Sequence, residues 1–283
     1  MELHKCIGTD QRIKKLVFNG RWSMVKDNKQ ATMDNSFYYK FIEPDKSLAD
    51  FVESLGMFHN PSDKAKEVVV LPDGRIDLFF LQSASTLFRV TLVGLETEPE
   101  QRSIEPHTLA FVISFKPLAV EYILHNPIAG LLNTAKDLQD NIWGFNADDL
   151  KDFDAFCKKA SQKIKELLPG EIDERKRKLF RLIYSSNGEM SVKALSEKVF
   201  WSSRQINRYF NQQFGLSLKA YCNILRFRAS LQHIAQGKLF PELNFTDQTH
   251  FIKEIKKFSG VVPKELSKNK NDRFVLLSVL KQK

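Results

Sequence analysis

Polar side chains that can read DNA bases are concentrated in one short stretch, residues 201–215. Arg, Gln and Asn make bidentate hydrogen bonds to guanine and adenine edges in the major groove. The apolar residues Ile206, Phe210 and Phe214 recur every four positions, which predicts a helix that buries one stripe. Two serines just before it can cap its free N–H groups. An ordinary solvated helix face is the alternative interpretation. The polar residues off the stripe are Arg204, Gln205, Asn207, Arg208 and Gln212.

The same pattern recurs 45 positions later. Both copies end in a glycine, which is typical of a helix that stops in the left-handed conformation. Two copies indicate a short tandem rather than a solenoid, which needs at least three repeats. The aligned pairs are Phe200 with Phe245, Ile206 with Phe251, Arg208 with Lys253, Phe210 with Ile255 and Gly215 with Gly260.

The segment ahead of the first copy predicts a supporting helix. Ser191 is a good N-cap, and Val192, Leu195 and Val199 recur at helical spacing. A capped helix, a turn near residues 200–201 and a second helix headed by hydroxyl and amide side chains make a helix-turn-helix pattern. In that motif the second helix enters the major groove. We expect Trp201 to pack in the turn, against Phe200 and the helix that links the two copies.

Residues 175–267 resemble the tandem helix-turn-helix domain of AraC/XylS-type transcription regulators. The matching segments are LSEKVFWSSRQINRYFNQQFGLS, RFRASLQHI and NFTDQTHFIKEIKKFSGVVPKEL. The resemblance implies two recognition helices, Ser203–Phe214 and Gln248–Ser259, in successive major grooves. A long helix over residues 218–234 would join them.

The second unit departs from the family pattern where its first helix should lie. That region reads GKLFPELNF, with Pro241 inside it and Asn244 at the usual glycine position. Proline is tolerated only in the first turn of a helix, so this supporting helix must be short. Ser196 and Leu218 also replace the residues that the family favours. The first unit is therefore the better candidate for base specificity.

Chemistry and the resemblance together give a candidate DNA interface. Side chains expected to reach bases are Ser203, Arg204, Gln205, Asn207, Arg208, Gln248, Thr249 and His250. Side chains expected to contact phosphate are Lys193, Gln212, Lys253, Lys256 and Lys257. A basic cluster at residues 175–181 also suits phosphate contact, with a solvated helix start as the alternative.

Charge is divided unevenly between the two halves of the 283-residue chain. The formal net charge is +9, yet residues 175–283 carry 22 Lys+Arg against 7 Asp+Glu, a net of +15. Residues 1–174 have a net of −6. A basic domain beside an acidic one is typical of a nucleic-acid reader with a separate sensing or pairing domain. An anionic lipid surface is the less favoured partner, because no membrane-lying basic helix stands out.

The predicted fold class is α+β: a mixed strand and helix domain followed by an all-α domain with two helix-turn-helix units. Strands are indicated on both sides of Pro72-Asp73-Gly74 and again over residues 87–96 and 107–115, with a charged loop over 96–106 between them. Helical character follows from residue 116, with a break at Pro127, and Asp148 is the expected cap of a helix over 148–167. The segment PDGRIDL resembles the N-terminal domain of some AraC-type regulators. The expected divisions are a poorly ordered arm 1–36, an α+β regulatory domain 37–167, a linker 168–174, the DNA-binding domain 175–270 and a tail 271–283.

The sequence lacks recognisable catalytic or metal-binding motifs. It contains no phosphate-binding glycine loop, serine-hydrolase elbow or zinc-protease motif, and its six histidines show no ligand spacing. We therefore expect neither an enzyme nor a cofactor or metal. Glu96, Glu98 and Glu100 are expected to be solvated. Scattered cysteines, with no leader and no membrane-length apolar run, predict a cytoplasmic protein that does not enter membranes.

These features predict a sequence-specific DNA-binding transcription regulator. Its expected partner is double-stranded DNA, with a small-molecule effector, an RNA polymerase contact and a second copy of the chain as further candidates. An effector pocket could be lined by Phe111, Phe115, Tyr122 and Trp143, although plain core is the alternative role for these aromatics. The rival function is an effector-binding or protein-interaction module whose helical domain binds DNA only non-specifically.

Overall fold

The computed structural model describes residues 37–240 and 245–281. The expected N-terminal arm, residues 1–36, lies outside the described residues. So do Pro241, Asn244 and residues 282–283.

Residues 38–138 build two antiparallel sheets. The large sheet has the strand order β1-β2-β7-β4-β5-β8, and β3 pairs with β6 in the small one. Neighbouring strands run antiparallel throughout the described pairs. The strands are β1 Tyr38–Ile42, β2 Val52–Asn60, β3 Lys66–Val70, β4 Ile76–Gln82, β5 Arg89–Val93, β6 Glu100–Ile104, β7 Thr108–Phe115 and β8 Ala135–Leu138.

The turn at Pro72-Asp73-Gly74 carries the chain from the small sheet to the large one. Strands β3 and β4 flank it, but each pairs with other strands. Gly74 adopts a positive φ of 76°. The Arg75 backbone N–H donates to the Asp73 carboxylate at 3.0 Å, which fixes the turn. The expected turn chemistry is therefore present, in a connection between sheets.

Helix α1, Phe153–Leu167, covers one face of the large sheet and starts later than expected. Its cap is Asp152, whose carboxylate accepts from the N–H groups of Asp154 and Ala155. Asp148 lies instead in a preceding 3₁₀ segment, Ala147–Lys151, which Asn146 caps. The prediction of a helix capped by Asp148 is wrong because the second cap restarts the helix.

The rings of α1 close the core of the sheet half. Phe153 and Phe156 each lie 5.1 Å from Phe111, centroid to centroid. Phe80 and Phe145 complete this aromatic cluster and are fully buried. The segment over residues 116–132, which was expected to be helical, contains only a π-helical turn, Val120–Leu124, and a 3₁₀ turn, Ala129–Leu131. The first of these ends where His125 takes a left-handed conformation.

The remainder of the described chain is helical, which confirms the predicted α+β class. Both predicted recognition helices have the expected bounds, and a long helix joins them. The helices are α2 Glu174–Ser185, α3 Val192–Val199, α4 Ser203–Phe214, α5 Leu218–Ala235, α6 Gln248–Ser259, α7 Pro263–Lys268 and α8 Val275–Lys281.

The second helix-turn-helix unit lacks a regular first helix over residues 236–240 and 245–247. Helix α5 ends at Ala235, and Gly237 follows with a positive φ of 79°. Residues 241–244 are outside the described part. The short supporting helix expected here is thus not formed by the described residues on either side of that gap.

The C-terminal tail packs on α5 and reaches the small sheet. Asn269 organises it: its side-chain amide donates to Ser278 Oγ at 2.7 Å, and its amide oxygen accepts from the Phe274 N–H at 2.9 Å. Phe274 is buried. The Val69 N–H of β3 donates to the Arg273 carbonyl at 2.6 Å. The tail thereby connects the helices to the sheets.

The sheet half and the helical half share one hydrophobic core among the described residues. Tyr221 on α5 is fully buried and donates to the Gly74 carbonyl at 3.0 Å. Glu53 on β2 forms ion pairs with Arg228 of α5 and with Lys116. Within residues 37–240 and 245–281, no helix is long and apolar enough to cross a membrane.

Candidate nucleic-acid interface

The turn between α3 and α4 is built from side-chain caps. Ser191 Oγ accepts from the Ala194 N–H at the start of α3. Helix α4 opens with a capping box, in which Ser202 and Gln205 each bond the other's backbone N–H. Between the two caps, Phe200 ends α3 in the left-handed conformation. These local bonds fix the angle at which α4 leaves the turn.

Helix α4 has one buried face and one exposed polar face. Ile206, Phe210 and Phe214 are fully buried, and Phe210 packs 5.7 Å from Phe180 of α2, centroid to centroid. The exposed side chains are Arg204, Gln205, Arg208, Asn211 and Gln212. Of the expected base readers, Arg204, Gln205 and Arg208 therefore share one accessible surface, which we call the α4 face.

Two other expected base readers are committed to the fold. Asn207 donates its side-chain amide to the Ser203 carbonyl at 3.0 Å, and its amide oxygen accepts from the Leu218 N–H at 3.2 Å. Asn207 thus joins α4 to the start of α5. Ser203 is half-buried and serves this bond through its backbone.

Helix α6 repeats the two-faced design. Asp247 caps it through the His250 N–H at 2.8 Å, and Gly260 ends it with a φ of 76°. Phe251, Ile255 and Phe258 are buried. The exposed side chains on the other side are Thr249, Lys253, Lys256 and Lys257.

The remaining expected base readers of α6 hold the preceding loop. Gln248 donates its side-chain amide to the Leu239 carbonyl at 3.0 Å. His250 accepts from the Thr246 N–H at 3.3 Å, and its ring lies 5.7 Å from that of Phe245. Both side chains are half-buried. Of the six α6 residues expected to contact DNA, Thr249 and the three lysines are therefore the exposed ones.

The expected phosphate contacts are all solvent-exposed. This holds for Lys193 on α3, Gln212 on α4 and the three lysines of α6. Among the described residues, no carboxylate lies within ion-pair distance of these lysines, nor of Arg204 or Arg208. Their charges are therefore available to an anionic partner.

The basic cluster of α2 has a different use from the phosphate contact expected of it. Lys176 pairs with Glu121, and Arg181 pairs with Asp50 at 2.7 Å. Arg177 also reaches Asp50, at 3.4 Å. Their partners belong to the acidic sheet half, so most of this cluster joins the two halves.

The sheet half also touches the back of α4. Tyr209 donates to Glu121 at 3.2 Å; burial, with Glu121 beside it, raises the pKa of the phenol. The Ile128 N–H donates to the Gln213 carbonyl at 2.8 Å. A side chain at Gly215 would lie 2.8 Å from the Ala129 carbonyl oxygen. The sheet half therefore supports α4 from behind and leaves its outer face open.

Trp201 packs differently from the expectation. Its ring lies 5.3 Å from Tyr209 on α4, and the Arg175 guanidinium sits 5.9 Å from the indole. Phe200 is turned outward and is 87% exposed. The sequence did contain a signal for the outward position of Phe200. A bulky residue stands at the end of α3, where the chain needs a left-handed conformation, just before the serine that caps α4.

The burial of Glu96 in the sheet half contradicts the expectation that this side chain is solvated. Its side chain is only 12% exposed and lies 3.6 Å from Arg102. Burial, aided by repulsion from Asp73, raises the pKa of Glu96 to about 8. Burial likewise raises the pKa of Asp77 to about 6. The expectation of a charged loop over residues 96–106 is also wrong, because residues 100–104 form β6 in the small sheet. Local alternation could not reveal that Arg102 of β6 and Asp77 of β4 lie near Glu96.

The aromatic residues considered for an effector pocket are mostly core. Phe111 and Phe115 are buried, and Trp143 packs 6.3 Å from Phe115. Tyr122 accepts the Asp173 N–H through its hydroxyl at 3.1 Å. Among the described residues, no group of His, Cys, Asp and Glu side chains could hold a metal ion.

One family model matches part of the chain. It is described as a domain of unknown function, DUF6597, and it covers residues 40–137, which is most of the two-sheet region. No curated protein matches the chain.

Solved structures of ToxT from Vibrio cholerae resemble the chain at low identity. The apo form of a variant from strain SCE256 is 14% identical, with a TM-score of 0.40, over 83% of this chain and 97% of that one. A 1.65 Å structure is 11% identical, with a TM-score of 0.41, over 82% and 98%. ToxT of strain O395 bound to (E)-4-(8-methylnaphthalen-1-yl)but-3-enoic acid is 13% identical, with a TM-score of 0.41, over 86% and 99%. Values this low identify no function, which has to be inferred from the chain's own residues.

Proposed function

We propose that this protein is a sequence-specific DNA-binding transcription regulator of the AraC/XylS type. The observation that carries the proposal is the α4 face: Arg204, Gln205 and Arg208 are exposed together on a capped helix whose other side is locked into the core. Guanidinium groups on a rigid helix are suited to reading base edges in a major groove, and Gln205, whose amide oxygen is held in the cap, keeps its amide NH₂ as a donor.

The two units have different roles in this proposal. Helix α4 reads bases through the α4 face, with Asn207 and Ser203 positioning the helix. Helix α6 supplies Lys253, Lys256 and Lys257, whose ammonium groups suit phosphate oxygens and fix the register of the protein on the duplex.

The sheet half is the regulatory part in this proposal. Glu121 contacts both Tyr209 on α4 and Lys176 on α2, so any change at Glu121 reaches the DNA reader directly. A small-molecule effector, a contact with RNA polymerase or pairing with a second copy would act through such contacts.

Binding by the full chain to a random double-stranded DNA library, at near-physiological salt, tests this function. We expect repeated selection to enrich one sequence that the protein then prefers by at least about a thousandfold over scrambled DNA of equal length. Equal binding to both, falling steeply with salt, would leave only a non-specific basic domain.

A further inference from the structure

Phe200 has a backbone conformation that its side chain makes costly. Its φ is 53° and its ψ is 41°, in the left-handed region where glycine is the usual residue. A bulky side chain there is an outlier, and such outliers concentrate at functional sites. Without some use for the ring, glycine or asparagine would serve this turn better.

Packing within the described fold does not explain the ring. It is 87% exposed, and the Lys178 ammonium lies 5.8 Å from the ring centroid. Trp143 makes the contrast: it also has a positive φ, 56°, but its ring packs on the buried Phe115. The strain at Trp143 is offset by core contacts, whereas Phe200 presents its ring to solvent.

The surroundings of Phe200 favour an anionic partner. Lys178 lies beside the ring, and Lys198 and Arg204 are exposed close to it in the chain. Phe200 stands three residues before Ser203, the first residue of α4, so its backbone lies within about 11 Å of that residue. The N-terminal residues of a recognition helix contact base edges. Aromatic and cationic groups together at that point match the edge of a major groove better than they match an apolar protein surface.

We infer that Phe200 is a further specificity residue, whose ring packs against a thymine C5-methyl group in the major groove beside the bases read by Arg204. The inference rests on the proposed function. Thymine is the base that offers an apolar group in the major groove, and phenylalanine is a side chain that contacts it. The ring would lose water on binding DNA, and the strained turn would present it towards the groove.

The test compares Phe200→Gly with the wild-type full chain on the sequence selected by the wild type. Glycine relieves the strain, so we expect an equal or higher melting temperature and intact folding. We expect affinity for the selected DNA to fall about fourfold per methyl contact, with the preference for thymine lost at one position. Leu87→Ala is the control, because it removes another apolar side chain, 94% exposed, from the sheet half. It should leave the DNA affinity and the preference for thymine unchanged.

Deoxyuridine gives the chemical control, because it differs from thymidine only by the methyl group. Replacing that thymine by deoxyuridine should weaken wild-type binding about fourfold and leave Phe200→Gly unaffected. Equal effects of the replacement on both proteins would overturn the inference. So would unchanged DNA binding by Phe200→Gly, even if transcription were impaired, which would indicate a protein contact instead. A wild type that selects no sequence would refute the proposed function itself, and with it this inference.

Discussion

At the scale of single residues, exposure separates the proposed base readers from the positioning residues. Arg204 and Asn207 lie three positions apart on α4 and have equally suitable chemistry. Arg204 is exposed, whereas Asn207 uses its amide to join two helices. Residue type proposes a role, and the neighbours of the side chain decide it.

Arg204→Ala should weaken binding to the selected DNA by about 1–3 kcal/mol and relax one base position. The reason is the loss of a bidentate pair of hydrogen bonds from the guanidinium to a base edge. Competition binding against all single-base variants of the selected sequence measures it. Arg89→Ala, an exposed arginine in the sheet half, is the control. A uniform loss over every variant sequence would contradict the base-reading role.

Glu96→Gln should stabilise the protein increasingly as pH rises. The folded-state pKa of Glu96 is raised to about 8 from an ordinary 4.5, so the stability it contributes is complete below about pH 4.5 and is lost as pH rises through 8. That loss is on the order of 3 kcal/mol at pH 7. Glutamine is neutral at every pH, so the Glu96→Gln variant does not lose this stability.

Urea unfolding of both proteins at pH 5 and pH 8 measures this difference. The exposed neighbour Glu98→Gln is the matched control. An equal advantage of Glu96→Gln at both pH values would show that Glu96 ionises normally in the folded protein.

At the scale of elements, the side chain of Asn207 joins α4 to the start of α5 by bonding backbone groups of both helices. Asn207→Ala removes the bonds to Ser203 and Leu218. We expect the free energy of unfolding to fall by about 1–2 kcal/mol, with the same base preference retained. Asn211→Ala, one turn further along and exposed, should cost less. Denaturant unfolding and DNA selection together check this; a changed base preference with normal stability would restore Asn207 as a base reader.

Helix α6 is expected to act through charge. Replacing Lys253 by Gln should reduce affinity for all sequences alike and lower the slope of log affinity against log salt by about one. Binding measured over a salt series gives the slope. Lys136→Gln, exposed on β8, should leave it unchanged. A slope that stays the same in the Lys253 variant would remove this residue from the phosphate contacts.

At the scale of the whole molecule, the acidic and basic halves are held together by charge as well as by core. Burial alone would raise the pKa of Glu53, but Arg228 and Lys116 outweigh it and hold that pKa at about 2. The stability gained from this carboxylate is present above about pH 4.5 and is lost as pH falls towards 2. The ion pair therefore favours the joined state throughout the neutral range.

Glu53→Gln should lower the free energy of unfolding by about 2–3 kcal/mol, because Arg228 is left without its partner. Thermal unfolding at pH 7 measures the loss, and it should shrink as pH approaches 3. Glu43→Gln, exposed on the same half, should have little effect. Equal stability of Glu53→Gln and wild type would show that the core alone holds the halves together.

The sequence by itself determined the local structure of the helical half. Caps such as Ser202 and Asp247, terminal glycines and four-residue apolar spacing act within one or two turns of chain. The bounds of α4 and α6 were therefore predictable to the residue. The α+β class and the uneven charge also followed from the sequence.

Tertiary structure decided which polar groups remain for a partner. Arg181 meets Asp50, Arg228 meets Glu53, and Glu96 is half-buried beside Arg102 of β6. Arg181 and Arg228 lie more than a hundred positions from their partners in the sequence. Local patterns carry no information about such distant encounters, because burial and pairing depend on how sheets and helices pack. The exposure of Phe200 also depends on tertiary packing. Two aromatic residues stand side by side in the turn between α3 and α4, and only the packing of Trp201 on Tyr209 shows that Trp201 is the one that fills it.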